Sequence, residues 1–228
     1  MLTETGFLLS YIKYGDHDAV VHVYTREGGY RSCFIRGIFS PKSRKRPYLF
    51  PLRELCLTAS ARQRSGLLSI SKLELCDDRN LVFNVKAGAV LFFVADILNQ
   101  LLKNDEANQR FYEEIAAFLD QLENGNYSSH FVFMFKVLSS AGILPLLSSG
   151  RFLDPESGQY GAEMSHQLFD ADMSDIFRNV IDHHSPYELR FDSSQKAKML
   201  DALMLYFALH IPDFKIPKSL EVVQQIFD

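Results

Sequence analysis

Along the first 78 or so residues, apolar side chains recur with a period near two, the signature of strands with one buried face. Gly6 to Tyr14 and Asp18 to Thr25 read as strands. In the second, Val21 and Val23 fall on one face and His22 and Tyr24 on the other. Glu27-Gly28-Gly29 supplies the backbone freedom of a tight hairpin, and Tyr30 to Arg36 returns as a third strand. Tyr48 to Thr58 and Leu67 to Cys76 make two more, joined by Ala59 to Gly66. Five strands on short connections suit a small closed barrel better than a sandwich. A five-stranded barrel of the oligonucleotide-binding (OB) type is the natural candidate.

After Asp77-Asp78 the period becomes helical. Val90, Val94, Ile97, Leu98 and Leu101 share a face between Ala87 and Lys103, and Phe111, Ile115, Phe118, Leu119 and Leu122 share another. Gly125 stops that second helix. Ser128 or Ser129 caps a third that runs to Ala141 and ends at Gly142 and Pro145. Arg151 to Gly161 breaks the helical pattern and reads as a short hairpin around Asp154 to Gly158. Helices resume at Asp172 to His183 and Ser194 to His210, and a last one starts at Ser219. The expected class is α+β: an OB barrel over residues 1–79, then an α-helical domain over 80–228 with a short β-hairpin insertion.

Charge sharpens this division. The whole chain carries a net charge of -4. Residues 1–80 hold 13 Lys and Arg against 8 Asp and Glu, whereas the remainder holds 11 against 20. Much of the N-terminal excess sits in Gly37 to Pro47, where Lys42, Arg44, Lys45 and Arg46 occupy four of five positions. Cations on a loop between barrel strands neutralise phosphates and release counterions from nucleic acid. Arg26, Arg31 and Arg36 extend the same surface. Tyr11, Tyr14, Tyr24, Tyr30, Phe34, Phe39 and Tyr48 are interleaved with the cations and offer stacking platforms for unpaired bases. The alternative is a solvated loop above an aromatic barrel core.

Other chemistries find little support. No Gly-rich phosphate loop ends in Lys-Ser or Lys-Thr. Asp182-His183-His184 places neighbouring side chains about 100° apart on a helix, without a third metal ligand at helical spacing, and a helix C-terminus explains the imidazoles. Asp154-Pro-Glu-Ser-Gly158 lacks the glycine of a calcium loop, because Gln159 stands at its sixth position. Cys33, Cys56 and Cys76 match neither a disulfide framework nor a zinc spacing and read as separate buried thiols. The start of the chain lacks a signal-peptide pattern, and the longest apolar stretch, Ala87 to Leu98, is too short for a bilayer. The expectation is a soluble, reduced, cytoplasmic protein that is not an enzyme, with neither cofactor nor metal.

Several segments, in order, resemble the bacterial recombination mediator family RecO, and most closely its members from the Bacteroides group. They are Tyr14 to Gly29, Ile35-Arg-Gly37 with the basic loop, Leu49-Phe-Pro-Leu52, the helix Phe131 to Pro145, and Leu209 to Phe214 followed by Lys218 to Val222. The resemblance implies the same OB barrel and helical domain. It also implies binding of single- and double-stranded DNA, contact with the C-terminal tail of single-strand-binding protein, pairing with RecR, loading of RecA, and strand annealing. Carried onto this chain, the DNA surface comprises Lys42, Arg44, Lys45 and Arg46, with Arg31 and Arg36. Many family members have a four-cysteine zinc cluster after the helix that ends near Pro145. Here Leu146 to Gly158 contains no cysteine, so no zinc is expected there and the hairpin takes its place. No motif carries over for the tail. An apolar groove with a cation for the tail carboxylate is the physical requirement, and Lys103, Lys196 and Lys198 are the candidate cations. The competing reading is a non-catalytic interaction adaptor whose barrel no longer binds DNA.

Overall fold

The computed structural model describes residues 2–60, 67–77, 79–103 and 105–227. Most of the expected Ala59 to Gly66 connection, and Asp78 where the period changes, lie outside the described residues. The chain divides into two compact units, 1–116 and 117–228.

In the first unit five strands close a barrel: β1 (Leu2–Tyr14), β2 (Asp18–Thr25), β3 (Gly29–Ile35), β4 (Glu54–Ala59) and β5 (Leu68–Leu75). The strand order β1-β2-β3-β5-β4 is closed by β4 pairing back onto β1. All neighbours are antiparallel except β3 and β5, which run parallel over Cys33–Ile35 against Leu68–Ile70. The first half of β1 serves two partners at once, with Gly6 opposite both Thr25 and Leu55. A Cβ at Gly6 would stand 2.9 Å from the Tyr24 carbonyl oxygen and from Thr25 Cγ2, so the close approach depends on glycine. A register shift between Leu8 and Ser10 lets β1 bend from one partner to the next.

The alternation in β2 is realised as expected, with Val21 and Val23 fully buried in the barrel core beside Leu8, Cys33, Leu55 and Leu57. His22 faces outward and is half-buried. Tyr24 also faces away from that core, yet it is only 1% exposed. Phe111 meets its ring edge-on at 6.0 Å, and its hydroxyl accepts the Asn108 backbone N–H at 3.1 Å. α1 (Val85–Leu101) and the start of α2 (Gln109–Glu123) belong to this unit, and together they cover one side of the barrel. Asn99 of α1 accepts hydrogen bonds from the Ser10 and Tyr30 hydroxyls. Tyr112 of α2 packs on Phe7 at 4.5 Å and donates to Glu54 at 2.7 Å.

Two sequence expectations need correction. The fourth strand starts at Glu54, not Tyr48. Arg46–Tyr48 is a 3-10 turn, and Leu52 has φ +56, so the backbone between Pro47 and Arg53 cannot extend a ladder. Leu49 and Leu52 are apolar because they are buried, Leu49 within the barrel core, and not because they form a strand. Cys56 and Cys76 are not separate thiols but a disulfide with Cα atoms 5.5 Å apart. Leu55 faces Leu75, and Cys76 N–H donates to the Glu54 carbonyl, so the two cysteines lie diagonally on one outer face of β4 and its neighbour. Cys33 alone keeps the buried-thiol reading, and burial pushes its thiol up to about 12.

The second unit holds α3 (Ser129–Ser140), a hairpin of β6 (Phe152–Asp154) and β7 (Gln159–Gly161), α4 (Ala171–Asp182), α5 (Ser193–His210) and α6 (Leu220–Phe227). α5 starts at Ser193, one residue before the expected Ser194, behind an Asp192–Gln195 capping box. His183 is the C-cap residue of α4, and its Nδ1 accepts the Ser185 N–H, which gives His183 a local structural role.

The hairpin stands where the resemblance places a zinc cluster, and it is anchored by side chains. The Arg178 guanidinium donates to the carbonyls of Ser148 at 2.7 Å and Gly150 at 2.6 Å, and it lies 4.1 Å from the Tyr160 ring. The Tyr160 hydroxyl donates to the Ser174 carbonyl, and the Ser174 hydroxyl accepts the Leu153 N–H. Arg178→Ala removes two charge-assisted hydrogen bonds and a cation–π contact at once. It should lower stability by about 2 kcal/mol. Chemical denaturation against the unsubstituted protein measures this; a change under about 0.5 kcal/mol would show that the hairpin is held by strand pairing alone.

Candidate nucleic-acid interface

The basic loop leaves β3 at Ile35 and rejoins the barrel at Glu54. Its start is tied down by Gly37, whose positive φ of +69 turns the chain and whose N–H donates to Asp18 Oδ1 at 2.7 Å. Phe39 N–H then donates to the His17 carbonyl at 2.8 Å. Two short turns follow, closed by Ser40 N–H to Gly37 and Ser43 N–H to Ser40. Ile38 on one side of the cations and Leu49 on the other are buried in the barrel core. The residues between these two apolar anchors are held at the surface, where Lys42, Arg44, Lys45 and Arg46 are all exposed.

Pairing separates these cations from Arg53, Lys72 and Arg79 of the first unit. Arg53 lies 3.6 Å from Asp77, Arg79 reaches Asp77 and Glu54, and Lys72 pairs with Glu74. Among the described residues, Arg36, Lys42, Arg44, Lys45 and Arg46 have no such acidic partner. Lys45 makes one hydrogen bond, from Nζ to the Leu73 carbonyl at 2.9 Å, which pins the loop across β5. Under it, where β3 and β5 part after Ile35 and Ile70, a cleft of about 290 Å³ opens. Ile35, Ile70 and Leu73 form its apolar side, and Arg36, Lys42 and Lys45 contribute cations to its lining.

Arg31 is placed differently. It lies near the other end of β3, with Nε 3.9 Å from Glu4 and its guanidinium packed where a Cβ on Gly28 would fall. Glu4 is 8% exposed and sets a carboxylate beside the Arg31 guanidinium.

The aromatic residues sort into two sets. Tyr24 is buried, Tyr30 is stacked on His22 at 5.6 Å and bonded to Asn99, and Tyr48 packs against the barrel core. Tyr11 and Tyr14 are exposed at 45% and 63%, with Phe39 6.0 Å from Tyr11 and Phe34 edge-on to Tyr14 at 5.8 Å. Phe39 also collects two cations, Lys13 Nζ at 5.9 Å and Arg46 at 6.0 Å. Sequence reasoning missed Lys13. Its two-residue spacing from Tyr11 along β1 was the available signal that both point to one side. At His22, on the same barrel wall as Tyr30, burial first and the Lys103 charge second hold the imidazole below its ordinary range.

Of the lysines considered for a peptide carboxylate, Lys103 follows α1 and is exposed, whereas Lys196 is half-buried and Lys198 exposed on α5. A different lysine stands at a groove in the second unit. Between α3 and α4, this groove of about 200 Å³ has Val132, Phe135, Leu144, Val180 and Pro186 in its lining together with Lys136, Ser139, His183 and His184. Among the described residues no helix is long and apolar enough to cross a membrane.

Comparison with known proteins places this geometry in context. Residues 1–79 match the family model described as "Recombination protein O N terminal", and residues 83–152 match "Recombination protein O C terminal". A protein of Flavobacterium psychrophilum named DNA repair protein RecO is 24% identical, with 97% of each chain covered. Proteins of the same name from Porphyromonas gingivalis and Bacteroides fragilis are 25% and 22% identical over the full length of both chains.

Proposed function

The chain belongs to the RecO family of DNA repair proteins, and on that footing we propose that it is a non-catalytic mediator of recombination that binds single- and double-stranded DNA. The observation that carries the reading is the set of surface cations without acidic partners, Arg36, Lys42, Arg44, Lys45 and Arg46, held by buried anchors on an otherwise acidic protein. A polyanion replaces the missing carboxylates at little desolvation cost, because these side chains already stand in water. Lys13 with Phe39, Tyr11 and Tyr14 extends the surface toward bases, which suits unpaired strands. Neutralising the phosphates of two complementary strands on one surface lowers their mutual repulsion, and annealing follows from the same contacts. Residues 1–79 act in this reading as the nucleic-acid-binding domain and 80–228 as the helical partner domain.

The proposed protein partners are RecR, the C-terminal tail of single-strand-binding protein and, indirectly, RecA. The tail chemistry suits the groove beside Lys136 better than the three lysines considered from the sequence, since Phe135, Val132 and Leu144 line it together with a cation. Two assays test the function. The protein should bind a fluorescent single strand at low salt and speed the annealing of complementary strands. A tail peptide should bind the protein and lose affinity at least fivefold with Lys136→Glu, while DNA binding persists. Absence of DNA binding even at low salt sinks the mediator reading in favour of an interaction adaptor.

A further inference from the structure

The cleft beneath the basic loop is built for more than a passing phosphodiester. Arg36 at the exit of β3 and Lys42 and Lys45 on the loop line one opening, together with Ser40, Ser43 and Ser71. Three cations exceed what the single charge of an internal phosphate requires. A terminal phosphate monoester carries about -1.5 to -2 at neutral pH and offers three strong acceptor oxygens. Its volume of about 290 Å³ sits at the small end of ligand sites, enough for one nucleotide and too little for a run of them. The apolar side gives a base or sugar a surface away from water. Lys45 spends only one of its three ammonium protons on the Leu73 carbonyl, which leaves two donors for an anion while the loop stays pinned.

We propose that this cleft binds the terminal nucleotide of a strand that ends in a phosphate monoester, so that the protein distinguishes a phosphorylated strand end from strand interior. The proposal rests on the DNA-binding reading of the same loop and adds a preference that the reading does not contain. Arg44 and Arg46, outside the cleft lining, then serve the continuous backbone, while Arg36 and Lys42 serve the end.

The test compares one short single strand with a 5′-phosphate, a 3′-phosphate or hydroxyls at both ends. The phosphorylated form should bind about five- to tenfold more tightly, and the end that shows this preference is the end the cleft holds. The advantage should fade as pH falls below about 6, where the monoester takes up its second proton. Arg36→Gln with Lys42→Gln should bring the ratio to one. Arg44→Gln with Arg46→Gln should weaken every strand and keep the ratio. Equal binding of all three strands, or a ratio untouched by the Arg36 and Lys42 substitutions, overturns the proposal while leaving general DNA binding intact. If no strand binds, the general reading fails first. The cleft is then judged separately by titrating a deoxynucleoside 5′-monophosphate against the methyl resonances of Ile35 and Ile70, where absence of any shift overturns it.

Discussion

Replacing Lys42, Arg44, Lys45 and Arg46 together by Ala should weaken single-stranded DNA binding by two to three orders of magnitude at moderate salt. The same substitution should flatten the dependence of affinity on salt. Each phosphate contact to a single strand contributes roughly -0.7 to the slope of log affinity against log salt, so four lost contacts should reduce the slope by about 3. The fold should survive, because these side chains are exposed and the loop anchors Ile38 and Leu49 remain. The variant loses the Lys45 bond to Leu73 and the Arg46 contact with Phe39, and keeps the backbone turns of the loop. Arg31→Ala, measured beside it, should change affinity by less than about twofold, since a carboxylate already stands beside that charge. Fluorescence anisotropy across a salt series reads all of these quantities. An unchanged slope in the fourfold variant would place the phosphate contacts elsewhere.

Acid should destabilise the second unit through one residue. His130 on α3 is fully buried, with Nδ1 2.8 Å from the Tyr127 carbonyl, and burial is the main cause that lowers its pKa to about 4. The folded protein therefore keeps the ring neutral over a range where the unfolded chain, with an ordinary pKa of 6.5, binds a proton. The unfolded state binds more protons in that window, so stability rises with pH there. The contribution is complete above about pH 6.5 and is lost as pH falls toward 4, at up to about 1.4 kcal/mol per pH unit. The total reaches about 3 kcal/mol. Denaturation measured from pH 7 to 4 on the native protein and on His130→Phe should give a shallower pH dependence for the variant. Parallel curves would show that His130 is not the titrating group.

How much of this was legible depends on whether a feature is local along the chain. β2 was read to the residue, because Ala19, Val21 and Val23 are buried in strict alternation and the Gly28-Gly29 turn closes the hairpin. β1 begins earlier than expected, at Leu2, since the buried Glu4 and its Arg31 partner disguise an inward position as a polar one. The misplaced start of β4 has the opposite origin: Leu49, Phe50 and Leu52 look like a strand, but Leu49 and Leu52 are apolar because they are buried in turns. The disulfide was out of reach, because only the pairing register of β4 against the chain after β5 brings residues 56 and 76 together. The site divides in the same way. Four cations in five positions are visible in any reading of the sequence. Gathering Arg36 with Lys42 and Lys45 requires knowing where β3 and β5 separate, and setting Arg31 aside requires knowing that Glu4 lies across from it. His130 carried no signal, since a lone histidine in an apolar helix shows its burial only in the folded protein.

The cover that Phe111 and Tyr112 place over Tyr24 and Phe7 bears on how much chain the barrel needs. Tyr24 and Phe7 are at most 1% exposed, and Gly29 is fitted against the backbone at Asp105, which accepts the Tyr30 N–H. A gene fragment ending where the strands end would encode a barrel with a bare aromatic flank, prone to stick to itself. The barrel should therefore keep its fold in isolation only when the helix and a half that follow it are expressed with it.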